Sequence, residues 1–247
     1  MLDSFKRLFL RQGHDRDLTL ISDWAQQRGY GFKRARGEDG FVIDGQLDGR
    51  PWRIEWGPPQ RDYIRGHELR LRMELDLSSD AQMLVLSRPL MDSLERKTFE
   101  EFTDNVQTQI GTQTPEEMRW LVMFPKVNLT TLKNLRAQFG AVASVPETGL
   151  AWLEGPLANA LEQASRGLLR AEPPFVLMTL RGRAYLRTQL DAPDPKAVAG
   201  TLALFEIGVL QALRVVGDGA GRAPEATGRS TAWQSFPPGS AADDDTR

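Results

Sequence analysis

The chain has 247 residues, of which 40% are hydrophobic and 26% charged, with a net charge of −2 and a pI near 5.8. That is the composition of a folded body with a real core, and its near-neutral field gives no reason to expect a nucleic-acid partner. It contains no cysteine, which excludes disulfides, thiolate nucleophiles and cysteine-ligated metals.

The opening residues, MLDSFKRLFLRQ, put Leu2, Phe5, Leu8 and Phe9 on one helical face, with Lys6, Arg7 and Arg11 elsewhere. Such a segment packs on its own domain, or docks on a partner or membrane surface with Phe5 and Phe9 as contacts. It lacks a signal-peptide pattern. No stretch reaches the ~18 uninterrupted apolar residues that a membrane span needs, since Glu206, Gln211 and Arg214 break the most apolar one, Thr201–Val216. The expectation is a cytoplasmic protein without a transmembrane segment.

A helix is predicted over Asp17–Arg28, closed by Gly29, and a strand over Tyr30–Arg36. Strict alternation then sets in. Trp52, Ile54 and Trp56 share one parity against Arg53 and Glu55, and Leu69, Leu71, Met73 and Leu75 alternate with Glu68, Arg70, Arg72 and Glu74. This is the pattern of antiparallel strands with one buried face. Strands are expected over Phe41–Leu47 and Pro51–Trp56, joined by Asp48-Gly49, a strong hairpin signal. Gly57–Gly66, with Pro58 and Pro59, is a longer connection before strands His67–Leu77 and Gln82–Ser87. The last is apolar on both parities, as a strand covered on both sides would be.

Helical spacing returns over Leu90–Phe102. Thr114-Pro115-Glu116-Glu117 reads as a helix start, with Thr114 as N-cap and Glu117 as its capping-box partner. Leu129–Phe139 is a further helix ended by Gly140, followed by short strands at Ala141–Val145 and Gly149–Leu153. A helix over Pro156–Leu169 leads to a hairpin, Phe175–Arg181 and Ala184–Leu190, turning at Gly182. A final helix runs from Asp194-Pro195 to about Val216, with Gly200 and Gly208 permitting close approach of another backbone. Asp218–Arg247 has no periodicity and reads as a disordered tail, in which Trp233 and Phe236 either form a recognition motif or fold back. Leu47–Trp52 echoes Leu180–Tyr185, which is taken as two uses of one turn chemistry.

The fold class is therefore α+β: a largely antiparallel meander over about 41–88, a helix–hairpin–helix half over about 148–216, and a tail. The segments are 1–14, 15–110, 111–216 packed with the previous one, and 217–247.

Catalytic motifs are missing: there is no phosphate loop, dinucleotide fingerprint or nucleophile elbow. With only His14 and His67 as histidines, no metal site and no cofactor is expected, and Asp243, Asp244 and Asp245 read as a solvated charge run. Arginines 50, 53, 61, 65, 70 and 72 are interspersed with Glu55, Asp62, Glu68, Glu74 and Asp76, which points to cross-strand ion pairing. Trp52 and Trp56 belong to the core by parity. What survives as a candidate site is the Gly57–Gly66 loop, with Arg50, Arg61, Tyr63, Arg65 and His67 as candidate ligand-binding residues. Three functions follow. The leading one is a non-catalytic protein-interaction or assembly module docking through Phe5 and Phe9 or Trp233 and Phe236. The alternatives are an anionic-ligand binder or enzyme using arginines and carboxylates near the loop, and peripheral membrane association through the N-terminal helix.

Overall fold

The structure, a computed structural model, describes residues 17–35, 40–78, 80–104 and 114–220. The segment holding Phe5 and Phe9 and the tail holding Trp233 and Phe236 lie outside the described residues. Eight strands are present among them: β1 Gly31–Arg34, β2 Phe41–Leu47, β3 Arg50–Gly57, β4 Glu68–Glu74, β5 Met83–Ser87, β6 Phe139–Ala143, β7 Phe175–Leu180 and β8 Arg183–Gln189. The helices are α1 over 17–27, α2 Arg88–Asp104, α3 Glu116–Met123, α4 Lys133–Gln138, α5 Pro146–Leu153, α6 Pro156–Arg166 and α7 Pro195–Ala220.

All eight strands form one antiparallel sheet in the order β1-β2-β3-β4-β8-β7-β5-β6. The α+β class holds, but the run from 41 to 88 is not one continuous meander. The β7–β8 hairpin is inserted between β4 and β5, so strands from both ends of the chain share the sheet. This insertion makes β5 an interior strand, and all five of its residues are buried, as its two-sided apolarity implied.

The alternation places Trp52, Ile54 and Trp56 in register with Met73, Leu71 and Leu69, each 3% exposed or less. Together with Phe175, Leu177 and Leu186 they form the main core beneath α1, α5, α6 and α7. Asp194 caps α7 by accepting the Ala197 N–H at 3.0 Å. Within α7, a Cβ at Gly208 would come within 2.8 Å of Leu177, so this glycine lets the helix lie against the sheet. The window Pro195–Gly217 is long and apolar enough to cross a membrane by length and composition, and half of it is buried in this core.

The opposite face of the sheet is divided. Over β5, β6 and β7 it carries Leu84, Leu86, Val142 and Met178, covered by Leu90, Met91 and Leu94 of α2 and Met118 and Trp120 of α3. Over β2, β3, β4 and β8 it carries charged side chains, with no helix of the described residues packed on them. The 57–66 loop lies where the two halves meet.

Two local expectations are corrected. Gly149–Leu153 belongs to α5 rather than to a strand, because Pro146 opens a helix there. Gly140 does not terminate a helix: it sits inside β6 under Met91, where any Cβ would collide with the Met91 sulfur. The echo between the two hairpins is turn chemistry. Asp48 and Gly49 have φ of 49° and 78°, and Arg181 and Gly182 have 50° and 74°, so both are two-residue turns with left-handed central residues.

Candidate functional site: the 57–66 loop and its cleft

The loop is anchored at its base by Trp56, whose Nε1 donates to the Leu190 carbonyl at 2.7 Å and whose ring stacks on His67 at 4.3 Å. His67 is therefore part of the loop's footing. Glu68 has the parity of the charged face, yet it is fully buried. Its Oε2 accepts the Gln60 backbone N–H at 2.7 Å and Arg70 Nη1 at 3.3 Å, and its Oε1 accepts Arg187 Nη1 at 2.7 Å. Arg70 Nη1 also donates to the Pro58 carbonyl at 2.9 Å. One carboxylate thus ties the start of the loop to β4 and β8.

The far side of the loop is held by Glu117 of α3, which is 1% exposed. Its Oε1 accepts Arg61 Nε at 2.6 Å and the Tyr63 hydroxyl, while its Oε2 has no partner. Burial alone would push the Glu117 carboxyl up, but the bonds and charge of Arg61, with Tyr63, outweigh it and hold the group below the usual carboxylate range. Burial and the adjacent Glu117 charge push the Tyr63 phenol well above its ordinary value. Arg61 is raised too, burial being outweighed by Glu117, so the group stays a cation.

Beside the loop is a cleft of about 410 Å³. Leu90, Leu94 and Met118 form its floor, Tyr63 one wall, and Asp62, Arg65, Lys97 and Glu172 its charged edge. None of those four side chains makes a hydrogen bond or ion pair among the described residues, in contrast to the bonded groups around Glu68 and Glu117.

Of the five residues singled out from sequence, the structure brings Arg61 and Tyr63 together, but on Glu117. Arg65 lines the cleft and His67 lies under Trp56. Arg50 starts β3, opposite Leu47 at the turn, so a strand rise of ~3.3 Å per residue puts it roughly 23 Å from the loop. Two residues were missed. Thr114 and Glu117 have the spacing of a capping box, but α3 is preceded by Pro115 with no side-chain cap bond, and Glu117 turns to Arg61 and Tyr63 instead. Arg187 lies 119 residues from Glu68, and no local pattern links them. Among the described residues, no group of three or more His, Asp or Glu side chains is placed to hold a metal.

On the uncovered half of the sheet the charges alternate rather than separate: Arg53 with Asp44 at 2.6 Å, Arg70 with Glu55 at 3.5 Å, Arg183 with Glu74 at 2.6 Å. No protein-family model matches the chain, and no curated protein does. Among solved structures, it is similar to the crystal structure of the mycobacterial trehalose monomycolate transport factor A, TtfA, at a TM-score of 0.49 and 6% identity over 81% of this chain and 96% of that one. A likeness this slight carries no function across.

Proposed function

We propose that this chain is a non-catalytic protein-interaction module that takes a short extended segment of a partner protein into the cleft beside the 57–66 loop. The supporting observation is the division of labour among its charged groups. Arg61, Tyr63, Glu68, Glu117 and Arg187 spend their hydrogen bonds on holding the loop, while the side chains of Asp62, Arg65, Lys97 and Glu172 surround an apolar floor with none made among the described residues. General acid–base work needs a group that titrates near the working pH. Glu117 and Tyr63 are driven away from that range, one down and one up. An apolar floor with a polar edge is the anatomy of a recognition surface. From Leu90 to Lys97 the floor follows α2 for about 10 Å, enough for roughly three extended residues.

A photo-crosslinking residue at exposed Ser93, which lines the cleft, tests this in native lysate, with Lys196 of α7 as the control position. The expected result is a discrete adduct at 93 that disappears when Arg65→Glu and Lys97→Glu are added to a chain of unchanged circular dichroism. An absent adduct, or the same adduct from both positions, refutes the reading.

A further inference from the structure

The uncovered half of the sheet holds two pairs of arginines that face each other across neighbouring strands. Arg70 of β4 and Arg187 of β8 are register partners, and so are Arg53 of β3 and Arg72 of β4. Like charges directly opposite repel, so each pair calls for an anion. The first pair has one, because the Glu68 carboxylate receives Arg70 at 3.3 Å and Arg187 at 2.7 Å. In the second pair no carboxylate of the described residues bonds both members, although Glu55 lies near Arg72 and its charge reaches Arg53. Arg53 turns to Asp44 on β2 at 2.6 Å, and Arg72 has only a 3.8 Å share in Glu55, which Arg70 already engages at 3.5 Å.

On the other side of Arg72 stands its register partner Tyr185, with Arg183 two residues away on β8, held by Glu74 at 2.6 Å. These side chains border a depression of about 310 Å³. We infer that this depression binds an oxyanion, a phosphate or carboxylate group, at Arg72, with Arg53 on the strand to one side and Arg183 on the strand to the other. The outer arginines are held ready by their acids. Arg53 commits Nε and Nη2 to Asp44, and Arg183 commits Nε to Glu74 with a further bond to Tyr185, leaving Nη1 of Arg53 to donate beside Nε and Nη1 of Arg72. Fixing them in advance lowers the ordering cost of binding. Arg53, Arg72 and Arg183 are 40%, 56% and 52% exposed, so a dissolved anion reaches them.

The test is a titration of the full chain with inorganic phosphate and, separately, with acetate, followed by NMR of the arginine side chains at constant ionic strength. At least one probe should bind saturably and more tightly than chloride. Arg72→Gln should weaken it about ten-fold or more, Arg72→Lys should fall between, and Arg166→Gln on α6 should leave it unchanged. Without ligand at low salt, Arg72→Gln should also raise Tm, since it removes the repulsion with Arg53. Binding that survives Arg72→Gln, chloride competing as well as the probes, or a Tm that falls would each overturn the inference. Vesicles of phosphatidylcholine with phosphatidic acid separate the sources. Arg72-dependent co-sedimentation identifies a lipid headgroup, and phosphate binding in solution without it identifies a soluble ligand.

Discussion

Glu68 and Glu117 are the two buried carboxylates among the described residues, and both serve one loop. Glu68 spreads its load. Both oxygens are used, and its donors come from the loop and from two strands of its own sheet. Glu117 reaches from a helix, concentrates both donors on one oxygen and leaves the other bare. The first is a redundant anchor inside one layer. The second is a single seam between the loop and the helical layer, so the cleft that lies along that seam has its weakest fastening there.

The largest expected effect breaks the anchor. Glu68→Ala leaves Arg187, 14% exposed, facing Arg70, 16% exposed, with only Glu55 at 3.5 Å from Arg70 to offset them, and should cost about 3–5 kcal/mol in urea unfolding. A loss below about 1 kcal/mol would make Glu68 no stronger an anchor than an exposed surface pair. Glu117→Ala should cost about 2–3 kcal/mol, and its mark should be local: faster amide exchange at Arg61–Ile64 with β4 unchanged. Uniformly faster exchange would show that no seam exists.

Titration sharpens the contrast between the two seam partners. The folded pKa of Glu117 is depressed, so its contribution is complete above the unfolded carboxyl value of about 4.3 and is lost as pH falls through the lower folded value. Glu117→Gln should therefore flatten the acid limb of a stability–pH curve. Tyr63 behaves in the opposite sense. Its folded pKa is raised, so its contribution is complete below about pH 10 and is lost as pH rises toward the folded value. Tyr63→Phe should cost about 1 kcal/mol at neutral pH and flatten the alkaline limb.

The smallest effect has the reverse sign. Burial raises the Glu206 carboxyl, and nearby Arg28 only partly offsets it. Its raised value favours folding below about pH 4.3 and that advantage is gone at neutral pH. Glu206→Gln should add roughly 0.3 kcal/mol at pH 7 and nothing near pH 3, by thermal unfolding.

Much of the body could be read from residue spacing, because a period of two and a single Asp-Gly step determine which side of β3 and β4 faces inward. Trp52 and Trp56 were placed by parity alone. Parity failed at Glu68: it gives the face of a strand, not what covers that face, and the cover is a loop folding back with Arg187 from far along the chain. Glu117 shows a different limit. A glutamate three residues after a threonine fits a cap and fits a buried ion pair equally well, and only the position of Arg61 in space separates them. Strand order was hidden for a related reason, since a hairpin looks the same wherever it is inserted.

That insertion also sets a schedule for the chain's birth. The inner edges of β4 and β5 are completed only by β8 and β7, and roughly a hundred residues separate Glu74 from Arg183. At ribosomal rates of about 5–20 residues per second, β4 waits on the order of 5–20 s with its hydrogen-bonding edge open. In a newborn chain that edge, flanked by Leu69, Leu71 and Met73, is the segment a chaperone would meet first and the one through which two unfinished copies would join.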